Sequence, residues 1–317
     1  MTGGDPLMWL LEPDNPSARY LALTRLLDRP EDDLEVAAAR AAIPGWGPAR
    51  AMLDAQWPEG YWVGPGVGYS PKHKATVWQV IFAAALGAPC SEAIGRACTY
   101  LLDHSRLPDG LFSAYRTAGG AIACLNGNLL RAMFQLGFHD ARLDASLEAM
   151  AGMVLHNGFR CRFNAHSPLP ARMSDGLPCA WGAIKVLGAC AQVPAERRSE
   201  AVRGAIEMGS QFLLAGDLAA GGYTTAGSPS ALWQAFGFPL GYTADVLEAL
   251  EVLAQAGVKG HPRQTAALEL VQSKRDATGR WSLEHTPGNT WGRFGATGQP
   301  NKWVTLRALH VLKLSRG

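Results

Sequence analysis

The chain has 317 residues, 29 Lys and Arg against 27 Asp and Glu, and a formal net charge of +2. That balance gives no electrostatic footing for nucleic acid or an anionic membrane surface, and 48% hydrophobic content suits a large core and excludes a disordered chain. The opening MTGGDPLMWLLEPDNPS lacks the basic region and apolar run of a signal peptide, and the longest apolar stretch, Val77 to Ala88, falls short of the roughly 20 residues a membrane span needs; a cytoplasmic protein is expected.

The expected elements, in chain order, are all helical. An N-terminal pair covers about 16–28 and 31–56, broken by Pro44-Gly45. Glu31-Asp32-Asp33 opens the second of these, where the helix dipole favours carboxylates. A polar turn follows, Gln56-Trp-Pro-Glu-Gly-Tyr-Trp62, then helices over about 75–88 and 91–104. The same phrase, a short glycine turn before an aromatic, returns as Arg106-Leu-Pro-Asp-Gly-Leu-Phe112, His156-Asn-Gly-Phe159, Ala220-Gly-Gly-Tyr223 and Asp276-Ala-Thr-Gly-Arg-Trp281. Between these turns lie helices over about 124–137 and 141–155, 179–192 and 197–215, 241–256 and 263–275, and finally 302–314. No segment keeps the period-two alternation of a strand. The repeat therefore predicts one domain over 1–317, built from five or six helix hairpins.

The two helices of each hairpin differ. The helix over about 201–214 carries Arg203, Glu207 and Gln211 at four-residue spacing, one polar face as an outer helix has. The helix over 181–191 is apolar nearly all round. An all-α fold, an α/α toroid with the apolar helices inside, accounts for both kinds, and the N-terminal ends of the inner helices are expected to converge on one mouth of a central cavity.

The turn phrase resembles the QW-type repeat of the prenyltransferase and squalene cyclase superfamily, with Gln56 to Trp62 and Asp276 to Trp281 as the best copies, and the chain looks like its short prokaryotic members. That resemblance implies a terpene cyclase- or prenyltransferase-like enzyme in a toroid. The Asp-x-Asp-Asp motif of protonation-initiated cyclases does not occur, and Asp175 and Cys179, four apart, do not match the zinc pattern of protein prenyltransferases.

Polar residues on the otherwise apolar inner helices are costly unless paired or solvated, so they mark a candidate site. Lys74, Trp78, Asn126, Asn128, Trp181, Tyr242, Lys302 and Trp303 are expected to bind a substrate with an anionic head group and an apolar or π-rich body. Asp245 is the candidate general acid or base, with Lys185 and Arg307 beside it in catalysis; the competing reading pairs Asp245 with Lys185 or Arg307 as structural ions. Cys124 and Cys179 open successive inner helices, and Cys161 lies in the loop between them. Three thiolates suit tetrahedral Zn²⁺, with His166 or Asp175 closing the site or water leaving it open. The partner is then a small molecule. Competing functions on the same fold are a carbohydrate hydrolase or lyase, which needs paired carboxylates, and a non-catalytic binding protein.

Overall fold

A computed structural model describes residues 5–160, 178–221, 223 and 230–316. Among these residues there are 13 α-helices and no strand beyond isolated bridges. They are α1 (Pro6–Leu10), α2 (Pro16–Arg25), α3 (Leu34–Ala42), α4 (Gly47–Asp54), α5 (Thr76–Ala85), α6 (Glu92–His104), α7 (Ala123–Leu136), α8 (Arg142–Asn157), α9 (Ala180–Cys190), α10 (Glu200–Ala215), α11 (Val246–Gln255), α12 (Thr265–Ser273) and α13 (Lys302–Leu314).

Six of them form a closed inner ring. Helix α5 packs on α7, α7 on α9, α9 on α11, α11 on α13 and α13 on α2. The ring closes where Ser17 Oγ of α2 donates to the Leu86 carbonyl at the end of α5, 2.7 Å away, and Tyr20 lies against Gly87. Outside it, α3 covers α2, α6 covers α5, α8 covers α7, α10 covers α9 and α12 covers α11. This is the α/α toroid expected from the repeat. Neighbouring inner helices run parallel: a Cβ on Gly182 would meet Ala123, one on Gly188 would meet Arg131, and Gly127 abuts Lys185. At Gly127 a Cβ would fall 2.3 Å from the Lys185 carbonyl carbon, so only glycine lets α7 and α9 touch backbone to backbone there.

The repeated turns explain the ring's regularity. Gly60 has φ +96°, and a Cβ on it would lie 2.8 Å from the Arg96 carbonyl group, so the turn needs glycine both to fold and to seat on α6. Gln56 Nε2 donates to the Ala93 carbonyl at 2.9 Å and to the Gly60 carbonyl at 3.2 Å, pinning that turn. The following tryptophans are fully buried, and their indoles reach back to the preceding outer helix: Trp62 donates to the Met52 carbonyl and Trp281 to the Val271 carbonyl, both at 2.7 Å. The backbone N–H of three of the turn aromatics is clasped by a side chain near the start of the next inner helix: Trp62 by Thr76, Phe112 by Asn126, Trp281 by Thr305.

Helix limits follow local chemistry. Asp33 caps α3 by accepting from the Glu35 and Val36 amides, so the acidic run is a helix start. The break expected at Pro44-Gly45 within 31–56 falls between α3 and α4. The helix expected from 241 starts at Val246, because Asp245 is its N-cap. No described helix is long and apolar enough to cross a membrane.

Candidate functional site

A cavity of 90 Å³ lies on the ring axis, and every inner helix lines it. The sixth residue of each contributes to one layer: Leu21, Ile81, Asn128, Lys185, Glu251 and Arg307. Phe238 and Trp303, stacked at 4.7 Å, line the end toward the helix N-termini. Of the other lining residues, Arg25, Ala84, Ala85, Arg131, Ala132 and Gln135 lie toward the C-terminal ends of α2, α5 and α7. Arg25, Ala85, Arg131 and Gln135 are partly exposed, so the cavity opens at that end.

The opposite end is roofed, which corrects the expectation that the site opens among the N-terminal ends. Loops from far apart in sequence meet there. Trp291 donates its indole N–H to the Lys74 carbonyl at 3.0 Å, His73 Nδ1 lies 3.1 Å from the Gly288 carbonyl, and Gly292 abuts Pro48. Phe294 packs among Phe82, Phe238 and Trp303.

The cavity wall is a network of buried charge. Lys185 Nζ donates to both oxygens of Glu248, at 2.8 and 2.6 Å. Arg131 Nη1 donates to Glu248 Oε1 at 3.0 Å, and its Nη2 is 3.7 Å from Glu251 Oε2. Glu251 also meets Arg25 at 3.4 Å and His310 Nδ1 at 3.6 Å, the latter beyond hydrogen-bonding distance. Burial alone would raise the Glu251 carboxyl, yet His310, Arg131 and Arg25 hold it well below the usual carboxylate range. Burial pulls the Lys185 ammonium below its ordinary value, against the attraction of Glu248 and with the help of Arg131. Arg131 Nε is buried without an acceptor among the described residues.

Asp245 stands behind this wall, 1% exposed. Arg307 grips it with two hydrogen bonds of 2.9 and 2.7 Å, and the amides of Gly237 and Glu248 donate to it at 3.0 and 2.9 Å. Both oxygens are thus taken by N–H donors, and Asp245 does not line the cavity. This corrects its reading as a general acid or base: it is the structural partner of Arg307 and the cap of α11.

Of the other expected residues, Lys185, Arg307, Asn128 and Trp303 do come together on the cavity wall. Asn128 Nδ2 donates to the Gly241 carbonyl at 2.9 Å, and the Trp303 indole donates to Ser17 Oγ at 2.9 Å. The rest do not line it. Asn126 spends its amide on Phe112 N, Phe112 O and Ile122 O, as the clasp of its turn. Trp78 and Trp181 pack edge-on against Tyr242, over which Lys72 Nζ sits at 3.9 Å, all on the roofed side. Lys74 Nζ lies 4.2 Å from the Trp291 ring. Lys302 pairs with Glu12 at 2.9 Å and with Asp14. For these six residues the reason is shared: their positions in the first turn or before it place them toward the roofed end.

Arg25, Arg131 and Glu251 were not singled out from sequence. Their signal was a polar row on an apolar helix: Asn128, Arg131 and Gln135 on α7, and Glu248, Glu251 and Gln255 on α11, spaced by three and four residues.

No group of three metal-ligating side chains occurs among the described residues. Cys161, His166 and Asp175 of the expected zinc set lie outside them. Cys124 and Cys179 open neighbouring helices on either side of Gly182, whose Cβ would lie 3.7 Å from Cys179 Cβ and 3.9 Å from the Cys124 amide nitrogen. Cys98 and Cys190 are packed in the core, where burial raises both thiols.

No protein-family model and no curated protein matches the chain. Three solved structures are similar to it at low identity. One is a protein from Actinoplanes, 16% identical, covering 96% of this chain and 90% of that one with a TM-score of 0.46. Another is a variant of the type II terpene cyclase MstE from Scytonema in complex with merosterolic acid A, 12% identical, covering 98% and 97% with a TM-score of 0.40. The third is a glycosidase variant, 12% identical, covering 90% and 99% with a TM-score of 0.39. The ring described above rests on contacts within this chain, not on these likenesses.

Proposed function

We propose that the protein acts on a small, partly apolar anion in the central cavity, as a terpene cyclase- or prenyltransferase-like enzyme in the broad sense. One observation carries this reading: the cavity has more positive than negative charge. Among the described residues, Arg25, Arg131, Lys185 and Arg307 face Glu248, Glu251 and the more distant Asp245, which leaves one cation in excess. A bound anion supplies the missing charge. Leu21, Ile81, Leu240 and Leu306 offer an apolar surface beside it.

Size narrows the ligand. The 90 Å³ enclosed is well below the roughly 300–1,000 Å³ of sites that surround drug-sized ligands. The head group therefore goes in, and a larger apolar body lies toward the open end. The anion-binding half of the reading has more support than its cation-cyclising half, because among the described residues only Phe238 and Trp303 present aromatic rings to the cavity. A carbohydrate hydrolase has less support, since Glu248 and Glu251 are both tied to cations. A non-catalytic binding protein is favoured by a specific feature, the complete internal pairing of Asp245.

Zinc at Cys124, Cys161 and Cys179 with His166 is part of the proposal. Cys179 is the N-cap of α9, and Lys185, six residues on, lies about 9 Å further along the axis. Zinc there would tie the starts of α7 and α9 together and would not act as a Lewis acid in the cavity.

Calorimetry with lactate, inorganic diphosphate, a short prenyl diphosphate and a uronic disaccharide tests the function. At least one of the anions should bind, and Arg131→Met should weaken it by about 10- to 150-fold, the equivalent of one charge-assisted hydrogen bond of roughly 1.5–3 kcal/mol. Absence of binding by every anion, or equal binding by the variant, overturns the reading.

A further inference from the structure

We propose that the outer face of α13 is a docking site for an acidic amphipathic helix of a partner protein, which completes the sixth inner–outer pair of the ring. The inference stands apart from the cavity and its ligand.

The repeat shows what is missing. Five inner helices each lie under an outer helix, whereas α13 lies under the five-residue α1. That helix reaches only the start of α13: the Trp9 ring lies 5.5 Å from Lys302 Nζ, and Pro6 abuts Gly279 in the preceding turn. Further along, the eighth position of each inner helix reports its cover. In the five covered helices it is Leu23, Ala83, Leu130, Leu187 and Leu253, none more than 3% exposed. The cover is seen directly at Leu187, whose side chain would lie 3.8 Å from a Cβ on Gly209 of α10. In α13 the eighth position is Leu309, and it is only half-buried. With Leu312, three residues on, it lines an open groove of 370 Å³ together with Arg275, Lys313 and Arg316. Neither leucine borders the central cavity, to which α13 gives Trp303, Leu306 and Arg307. The open face runs from Leu309 to Arg316, roughly two turns of helix.

Charge selects the occupant. The groove is edged by three cations and by no carboxylate among the described residues. Lys313 is committed within the chain, to Asp28 and to the Arg25 and Leu26 carbonyls at 3.2 and 3.0 Å. Arg275 lies 5.7 Å from the Trp281 ring centroid, and among the described residues neither it nor Arg316 forms an ion pair. Leucines flanked by unpaired arginines match a helix with one apolar stripe and Asp or Glu along its edges. The stripe closes over Leu309 and Leu312, and the carboxylates meet Arg275 and Arg316 in charge-assisted pairs. A symmetric dimer through this face would instead set the same arginines of two copies against each other.

The test is a selection on the full-length protein from a display library of helical peptides of about four turns, with leucine at three- and four-residue spacing and all other positions random. Leu312→Glu protein in solution competes away peptides that bind elsewhere. Enriched peptides should be rich in Asp and Glu. By fluorescence anisotropy an enriched peptide should bind the wild type saturably, and Arg275→Glu with Arg316→Glu at least about 10-fold more weakly. Both arginines are exposed, so this double variant tests the groove without disturbing the core. Exchanging the acids of the peptide for lysine should abolish binding to the wild type and restore it to the double variant. Neutral or basic winners, no groove-dependent enrichment, or equal affinity for wild type and double variant overturns the proposal. A dimer in sedimentation that Leu312→Glu dissociates gives the face to a second copy. Binding to phosphatidylglycerol vesicles that the double variant loses gives it to a membrane surface. Either of these results overturns the partner helix as well.

Discussion

Replacing Asp245 with alanine tests the assignment of that residue to structure. Two losses are expected. The cap of α11 disappears, which costs about 1 kcal/mol. Arg307, 8% exposed, loses the carboxylate that takes two of its hydrogen bonds and becomes an uncompensated buried charge, which costs roughly 3–5 kcal/mol. The sum, about 4–6 kcal/mol, is a large part of the 5–15 kcal/mol that holds a typical domain folded. Urea unfolding followed by circular dichroism should therefore show a severely destabilised or unfolded Asp245→Ala protein. Two companions separate the causes. Asp245→Asn keeps an oxygen for the Glu248 amide and should recover about the cap's 1 kcal/mol. Asp245→Ala with Arg307→Met removes the stranded charge and should recover at least ~2 kcal/mol over the single variant. A single variant within about 1 kcal/mol of wild type, below the cost of a broken buried pair, refutes the reasoning. So does a double variant no more stable than the single one.

Two further outcomes follow from the same geometry. Glu251 is held well below the usual carboxylate range, so the unfolded chain takes up its proton first. Its contribution is present above the unfolded value of about 4.3 and is lost as pH falls toward the folded one; urea midpoints should drop below about pH 4–5, less steeply in Glu251→Gln, and parallel profiles would contradict this. For the metal, elemental analysis of purified protein should find zinc at one atom per chain, lost in Cys179→Ser; a metal-free wild type, fully folded, sinks the proposal.

The helices were legible because each rule that marks them is local. Apolar runs between recurring glycine turns placed α7, α9 and α13 within two residues of their observed limits. Where a side chain outside the apolar run set the boundary, the reading slipped, as at Asp245, whose cap starts α11 at Val246, five residues after the expected start. The roof was not legible at all. It joins Lys74 to Trp291 and His73 to Gly288, contacts between loops more than 200 residues apart in sequence, and no local pattern marks which end of a ring such loops will cover. Asn126 and Asn128 show the consequence. Two residues apart on one helix, they look alike in sequence, yet one clasps its own turn and the other faces the cavity.

Height along the axis was the missing coordinate, and the repeat itself contains it. Parallel inner helices that start level with one another put equal positions at equal height. In three of them the first turn clasps a turn aromatic, through Thr76, Asn126 and Thr305. The sixth position is the first full layer that borders the cavity, and there the six repeats diverge in character: Leu21 and Ile81 are apolar, while Asn128, Lys185, Glu251 and Arg307 are not. Packing alone asks for small or apolar side chains at all six, because each buried polar group must recover its lost hydration. Asn128 recovers it from Gly241 and Arg307 from Asp245. Lys185 and Glu251 recover it from Glu248, Arg131 and Arg25, residues one turn or less away that line the same space. Those compensations leave a cation over, beside a void. A ring built only to be stable would have filled that layer with leucine, so the excess charge at the sixth position is where a ligand's contribution belongs.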